Sequence, residues 1–274
     1  MSKNVAQPSP VNASVKTVAA LMNRYRPILN GRIATNEFLA QIGRANESHR
    51  FLANSTQAVY GRQVAFLTAI LQDYKQAASS QIRILDWGCG KCQITYLLRE
   101  RGFDVASCDV AVQKDDSTFG QEVPIVRARN ISVAPLHDPI QMPFGDGEFD
   151  CVVSFGVLEH VQSDAASLGE IRRVLKPGGV LFITFLPYFL SWTQAVAHQR
   201  GDSYHDRLYH KRRLRSLAEP ARFRLAGCWH GQLFPKNSMP LAYDRVLEPL
   251  DRFLCWYTPL KYFGTNLEAV LVAV

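Results

Sequence analysis

The chain is 274 residues long and 47% hydrophobic, proportions that suit one globular domain plus an extension. It has no apolar run near the ~18–20 residues a membrane helix needs, and its cysteines, at 89, 92, 108, 151, 228 and 255, are scattered as reduced thiols are. The formal charge of +7 is uneven: residues 1–80 hold nine Lys and Arg against three Asp and Glu, whereas 81–274 is nearly neutral.

In chain order, residues 1–10 are polar and read as disordered. Val15, Val18, Ala19 and Met22 then recur at helical spacing, and a second helix is expected across 36–43. A longer helix is expected from about 47 to 74, with Phe51, Val59, Val64, Phe66, Leu67 and Leu71 among its apolar positions. The basic surplus here is either a solvated helical face or a surface that meets an anionic substrate, membrane or nucleic acid. The first 36 residues contain no Asp or Glu, so a mitochondrial transit segment is the lesser alternative to a cytoplasmic placement. No apolar stretch follows Lys3 to make a secretory signal.

The most informative segment is 83–110, RILDWGCGKCQITYLLRERGFDVASCDV. It reads as a short strand through Asp86, a tight turn at Gly88 and Gly90, a helix from near Cys92, and a second strand closing on Asp109. Glycines after a strand let the backbone turn sharply and lie against a ligand with no side chain between them. Asp109, 23 positions beyond Asp86, falls where a nucleotide-binding unit places its ribose-binding carboxylate. The unit suits an adenosine. A dinucleotide site would want a third glycine so that the helix could approach a pyrophosphate, and Cys92 stands there instead. Cys89-x-x-Cys92 invites redox or zinc chemistry, but no second close pair completes a metal site.

More motifs follow: Asp138-Pro139-Ile140-Gln141-Met142-Pro143-Phe144, then 146–154 (DGEFDCVVS), Val157-Leu158-Glu159-His160 and 173–179 (RVLKPGG). In order and spacing, residues 83–187 resemble class I methyltransferases that use S-adenosylmethionine, of the methyltransferase type 11 kind. The resemblance implies an α/β fold, a doubly wound seven-stranded Rossmann-like sheet whose last strand is antiparallel. It implies S-adenosylmethionine as cofactor, with Asp86, Gly88, Cys89 and Gly90 around its methionine part. Asp109, with Val110 beside it, would hold the ribose, and Asp138 would accept from the adenine amino group; Phe155 belongs to the same set. Pro139 has no N–H to offer the adenine ring, so that contact is in doubt or comes from Ile140. In some quinone-biosynthesis relatives an N-terminal helix carries an arginine to the methionine carboxylate. Arg62 is the candidate here, the alternative being an ordinary surface arginine.

Residues 180–186 read as a buried strand ended by Pro187. Beyond it lie aromatic and histidine-rich stretches, 186–192 and 201–210, where open α/β sheets bind ligands. His205, then His210, are the candidate proton acceptors for a substrate hydroxyl, each weighed against a histidine merely bonded to backbone. A helix at 211–219 and strands at 223–230 and 267–274 complete the sheet. Tyr243, Val246, Leu247, Leu250, Leu254 and Tyr257 put a helix in the insertion 231–266. That insertion would cap the acceptor pocket, contact a second copy, or lie on a membrane surface. The division expected is a helical lid (1–80) on a catalytic domain (81–274).

Some RNA and quinone enzymes carry Glu-x-x-Glu-His as a metal motif after the fourth strand. Gly156 replaces the first carboxylate here, so no metal site is expected. There is no RNA-binding module or dense basic-aromatic strip, and no DNA partner is expected. The favoured acceptor is an oxygen of a small apolar or lipid-like molecule. RNA methylation and non-catalytic cofactor binding are the alternatives.

Overall fold

Seven strands line up in one sheet: β1 (Arg83–Trp87), β2 (Asp104–Asp109), β3 (Ala134–Pro135), β4 (Phe149–Phe155), β5 (Leu175–Pro187), β6 (Phe223–Gly231) and β7 (Asn266–Ala273). Their spatial order is β3-β2-β1-β4-β5-β7-β6. All neighbours pair in parallel except β7, which is antiparallel to both β5 and β6. This computed structural model describes residues 10–53, 56–110, 123–201, 207–234 and 246–274. The chain winds outward through β1, β2 and β3 and then returns to β4 on the other side of β1. That reversal opens a crevice at the carboxyl ends of β1 and β4, where such sheets bind ligands.

The strands are apolar on both faces because helices cover both. Neighbouring residues divide between two cores: Ile84, Val153, Phe182 and Val270 face one way, and Leu85, Val152, Leu181 and Leu271 the other. The second core is closed by α7 (Asp164–Val174) and α9 (Lys211–Ala218). The first takes Val18 and Met22 from α1 (Pro10–Tyr25), Leu39 from α3 (Glu37–Ala45) and Phe66 and Leu67 from α4 (Thr56–Lys75). The helices expected as a lid are thus structural partners of the sheet. α2 (Pro27–Asn30), α5 (Gln93–Arg99), α6 (Pro124–Arg129), α8 (Trp192–Gln199) and α10 (Leu247–Tyr257) are the remaining α-helices among the described residues.

Two expectations need correcting. The long helix over 47–74 is a 3-10 segment, Glu47–Ala53, followed by α4 from Thr56. The 3-10 segment packs against α3, where Gly43 lets the backbone of Leu52 and Ala53 approach so closely that a Cβ there would meet Ala53 N at 2.6 Å. The fifth strand also begins earlier, because pairing jumps from Phe149↔Leu175 to Cys151↔Val180 and leaves Pro177, Gly178 and Gly179 in an irregularity within β5. The expected disorder at 1–9, His205 and Tyr243 lie outside the described residues. No described helix is long and apolar enough to cross a membrane.

Candidate active site

The β1–α5 turn is hooked to β2 by its backbone. Gly88 N and Cys89 N both donate to Cys108 O, at 2.9 and 3.1 Å. Gly88 (φ +69°) is left-handed, and a Cβ on it would lie 2.6 Å from both γ-carbons of Val157. Gly90 (φ +50°) is also left-handed, but a Cβ there would meet nothing within 4 Å. Its N–H donates to Asp109 Oδ2 at 2.7 Å, so the loop and the carboxylate at the end of β2 hold one another. Cys92 takes the left-handed conformation (φ +61°) that a third glycine would adopt with less strain. The Cys89 and Cys92 sulfurs are 3.6 Å apart and buried.

Asp86 sits under this turn, 1% exposed, and accepts a 2.6 Å hydrogen bond from Thr95 Oγ1. It thereby ties β1 to the first turn of α5. Burial pushes its carboxyl up to about 7. At the other end, Val110 is half exposed beyond Asp109. Asp138 is exposed, and its Oδ1 accepts from Ile140 N and Gln141 N, each at 2.7 Å. These two backbone bonds hold its carboxyl below the usual carboxylate range. The Ile140 N–H expected to reach a ring is therefore engaged within its own turn.

A cavity of about 440 Å³ opens at the carboxyl ends of β4 and β5. Tyr60 from α4 meets the rings of Phe155 and Phe185 in its wall, with centroids 6.3 and 5.5 Å away. Phe185 is left-handed (φ +63°), a strained conformation of the kind found at functional sites. Its N–H donates to Glu268 Oε2 at 3.0 Å. Glu268 is fully buried, and burial, with a smaller contribution from Glu159, raises its carboxyl to about 8. Glu159 also lines the cavity; it is buried, which pushes its carboxyl up to about 7. Its Oε1 is 3.8 Å from His160 Nε2, and its Oε2 has no hydrogen-bond partner among the described residues.

Sequence reasoning took Glu159 only for the remnant of a metal motif and overlooked Glu268. Glu268 had one visible signal, a lone acid inside the apolar run of β7. Two other candidates are engaged elsewhere. His210 caps α9, its Nδ1 accepting from Arg213 N at 3.2 Å, and its ring packs on Phe189. It does not line the cavity. Arg62 is buried in a 2.5 Å ion pair with Glu248, which also holds Arg252 at 2.9 Å. It faces a different cavity, beneath α10, and not the glycine loop. No group of three or more His, Cys, Asp or Glu that could hold a metal ion occurs among the described residues.

Residues 85–183 match the family described as "Methyltransferase domain". This part of the chain is a class I S-adenosylmethionine-dependent methyltransferase domain. A protein of Mycolicibacterium smegmatis assigned as an S-adenosylmethionine-dependent methyltransferase is 31% identical over 54% of this chain and 55% of its own length. A ubiquinone biosynthesis O-methyltransferase of Dechloromonas aromatica is 34% identical over 38% of this chain and 44% of its own. The chain thus spans about half the length of the curated relatives it matches. A solved structure from Galdieria sulphuraria, assigned as a sarcosine dimethylglycine methyltransferase, shares the fold with a TM-score of 0.50 and 17% identity, covering 77% of this chain and 84% of that one. The methyltransferase domain's own residues fit its cofactor, S-adenosylmethionine. The side of Gly90 that a Cβ would fill is open, and the anchored carboxylate of Asp109 lies beside it.

Proposed function

We propose that the chain transfers a methyl group from S-adenosylmethionine to an oxygen of a small apolar acceptor. One observation carries this reading: the Gly90–Asp109 cradle and an aromatic cavity ending in a buried carboxylate both lie at the carboxyl ends of the central strands. Asp109 would hold the ribose hydroxyls, and the Gly88–Gly90 backbone would follow the methionine part. The bound cofactor supplies an electrophilic methyl carbon on a sulfonium. The chain's own work is then alignment and water exclusion, which account for most of the acceleration in a displacement with a good leaving group. Tyr60, Phe155 and Phe185 would orient a flat or apolar acceptor. Glu159 replaces the histidines as the proposed proton acceptor, taking the hydroxyl proton on its carboxylate as oxygen attacks. A carboxyl at about 7 is matched to that task near neutral pH. The oxygen chemistry in the name of the Dechloromonas relative supports the choice of accepting atom.

The test has two stages. Calorimetry with S-adenosylhomocysteine should show binding that Asp109→Ala weakens by roughly 1.5–3 kcal/mol, the range for hydrogen bonds to a charged group. Comparison of methylated metabolites in strains with and without the chain should then reveal a missing methyl ether or ester. Absence of binding by the unaltered chain would sink the proposal.

A further inference from the structure

The helix α10 is built inside out. Its acids face the protein: Glu248 pairs with Arg62 and Arg252, and Asp251 Oδ1 accepts from Leu233 N and Phe234 N, both at 2.7 Å. One apolar stripe faces solvent, while Leu247, Leu254 and Trp256 are half-buried. Val246, Leu250, Phe253 and Tyr257, spaced along one stripe, are 67, 43, 54 and 65% exposed. Leu260, Tyr262 and Phe263 continue the exposed apolar surface past the helix end. Beneath this surface a chain of rings runs toward β5: Tyr262 meets His230, His230 meets the buried Tyr188, and Tyr188 meets the exposed Phe189, with centroids 5.5, 4.4 and 5.2 Å apart. An exposed apolar surface of this kind on a water-facing helix marks a binding face.

The charge beside it selects the partner. A cavity of about 390 Å³ lies beneath α10, and Arg26, Lys211 and Lys261 stand in its wall. None of the three pairs with a carboxylate among the described residues; Arg26 lies over the Trp256 ring and Lys261 over the Tyr262 ring, at 5.0 and 5.3 Å. Apolar and tyrosine side chains flanked by unpaired cations are what an interfacial helix presents to anionic lipid. A twofold pairing of this face with a second copy would bring the same cations toward one another.

We infer that α10 and the segment after it dock on an anionic lipid surface, to which Arg26, Lys211 and Lys261 add electrostatic attraction. Docking is independent of the methyl-transfer reading, because it requires neither cofactor nor acceptor. The full chain is to be sedimented with vesicles of phosphatidylcholine alone and of equal parts phosphatidylcholine and phosphatidylglycerol. Binding should be at least about tenfold tighter to the anionic vesicles. Phe253→Ser with Tyr257→Ser should lower it by about tenfold or more, the loss expected when buried aromatic area is removed. Lys211→Gln with Lys261→Gln should remove about fivefold per lysine and most of the preference for phosphatidylglycerol. S-adenosylhomocysteine affinity should be unchanged in both variants, which certifies their fold and separates this proposal from the catalytic one. Equal binding to both vesicle types, or none to either, would overturn the inference. So would a dimer in ultracentrifugation that Phe253→Ser with Tyr257→Ser converts to monomer, since the occupant would then be a second copy.

Discussion

Gly88 and Gly90 stand two residues apart in one loop, yet alanine at each should fail in a different measurement. At Gly88 the obstacle is the protein itself. The left-handed backbone (φ +69°) costs an L-residue about 1–2 kcal/mol. The new methyl would also sit 2.6 Å from both γ-carbons of Val157, an overpacking worth about 1–3 kcal/mol. Gly88→Ala should therefore lose about 2–5 kcal/mol of stability in urea unfolding. Adding Val157→Ala should return the packing part and leave the backbone part. Gly90→Ala meets no protein atom within 4 Å, so only the backbone cost of about 1–2 kcal/mol applies to folding. Its methyl points into the space assigned to the cofactor, and calorimetry should show S-adenosylhomocysteine binding weakened by at least about tenfold, or 1.4 kcal/mol. Equal stability losses at the two positions, no rescue by Val157→Ala, or unaltered binding to Gly90→Ala would refute the reasoning.

Glu159→Gln should lower kcat by about 10²–10⁴-fold with unchanged cofactor affinity, and abolish the rise of rate with pH near neutrality. His210→Ala should cost only its helix cap, about 1 kcal/mol; a folded His210→Ala enzyme without turnover would reverse these roles. Arg62→Met should leave Glu248 with Arg252 as its remaining partner and destabilise the fold by about 1.5–3 kcal/mol, the range for a lost hydrogen bond to a charged group, without weakening S-adenosylhomocysteine. Intact stability with tenfold weaker binding would instead restore Arg62 to the cofactor. Asp86, Glu159 and Glu268 have carboxyls raised to about 7, about 7 and about 8. Each keeps in the native state a proton that the unfolded chain releases near pH 4, so their contribution is complete below that pH and lost as pH rises through 7–8. Urea midpoints of the cofactor-free chain should fall between about pH 5 and about pH 8; a rise across that window would show that these groups are not held protonated.

The local geometry of the cofactor unit was legible from residue order alone. Gly88 and Gly90 occupy left-handed turns, and Asp109 ends the next strand, because strand, turn and helix are specified by near neighbours. The apolar strands were visible in the same way, through periodicity and turn residues, whereas the antiparallel direction of the last strand was an expectation from the family resemblance alone. What periodicity cannot express is which side of an element finds a partner. The stripe of α10 predicted its helix correctly, but Val246, Leu250 and Tyr257 of it face solvent, because Glu248 and Asp251 found Arg62 and the backbone of Leu233 and Phe234 on the other side. His210 reads as a base until Arg213 N claims its lone pair. Glu159 raises the carboxyl of Glu268, 109 positions away in the sequence, only because β4 and β7 both pair with β5. Burial and electrostatic coupling act through space, so only the folded sheet decided which carboxylates are dry, raised in pKa and turned toward the cavity.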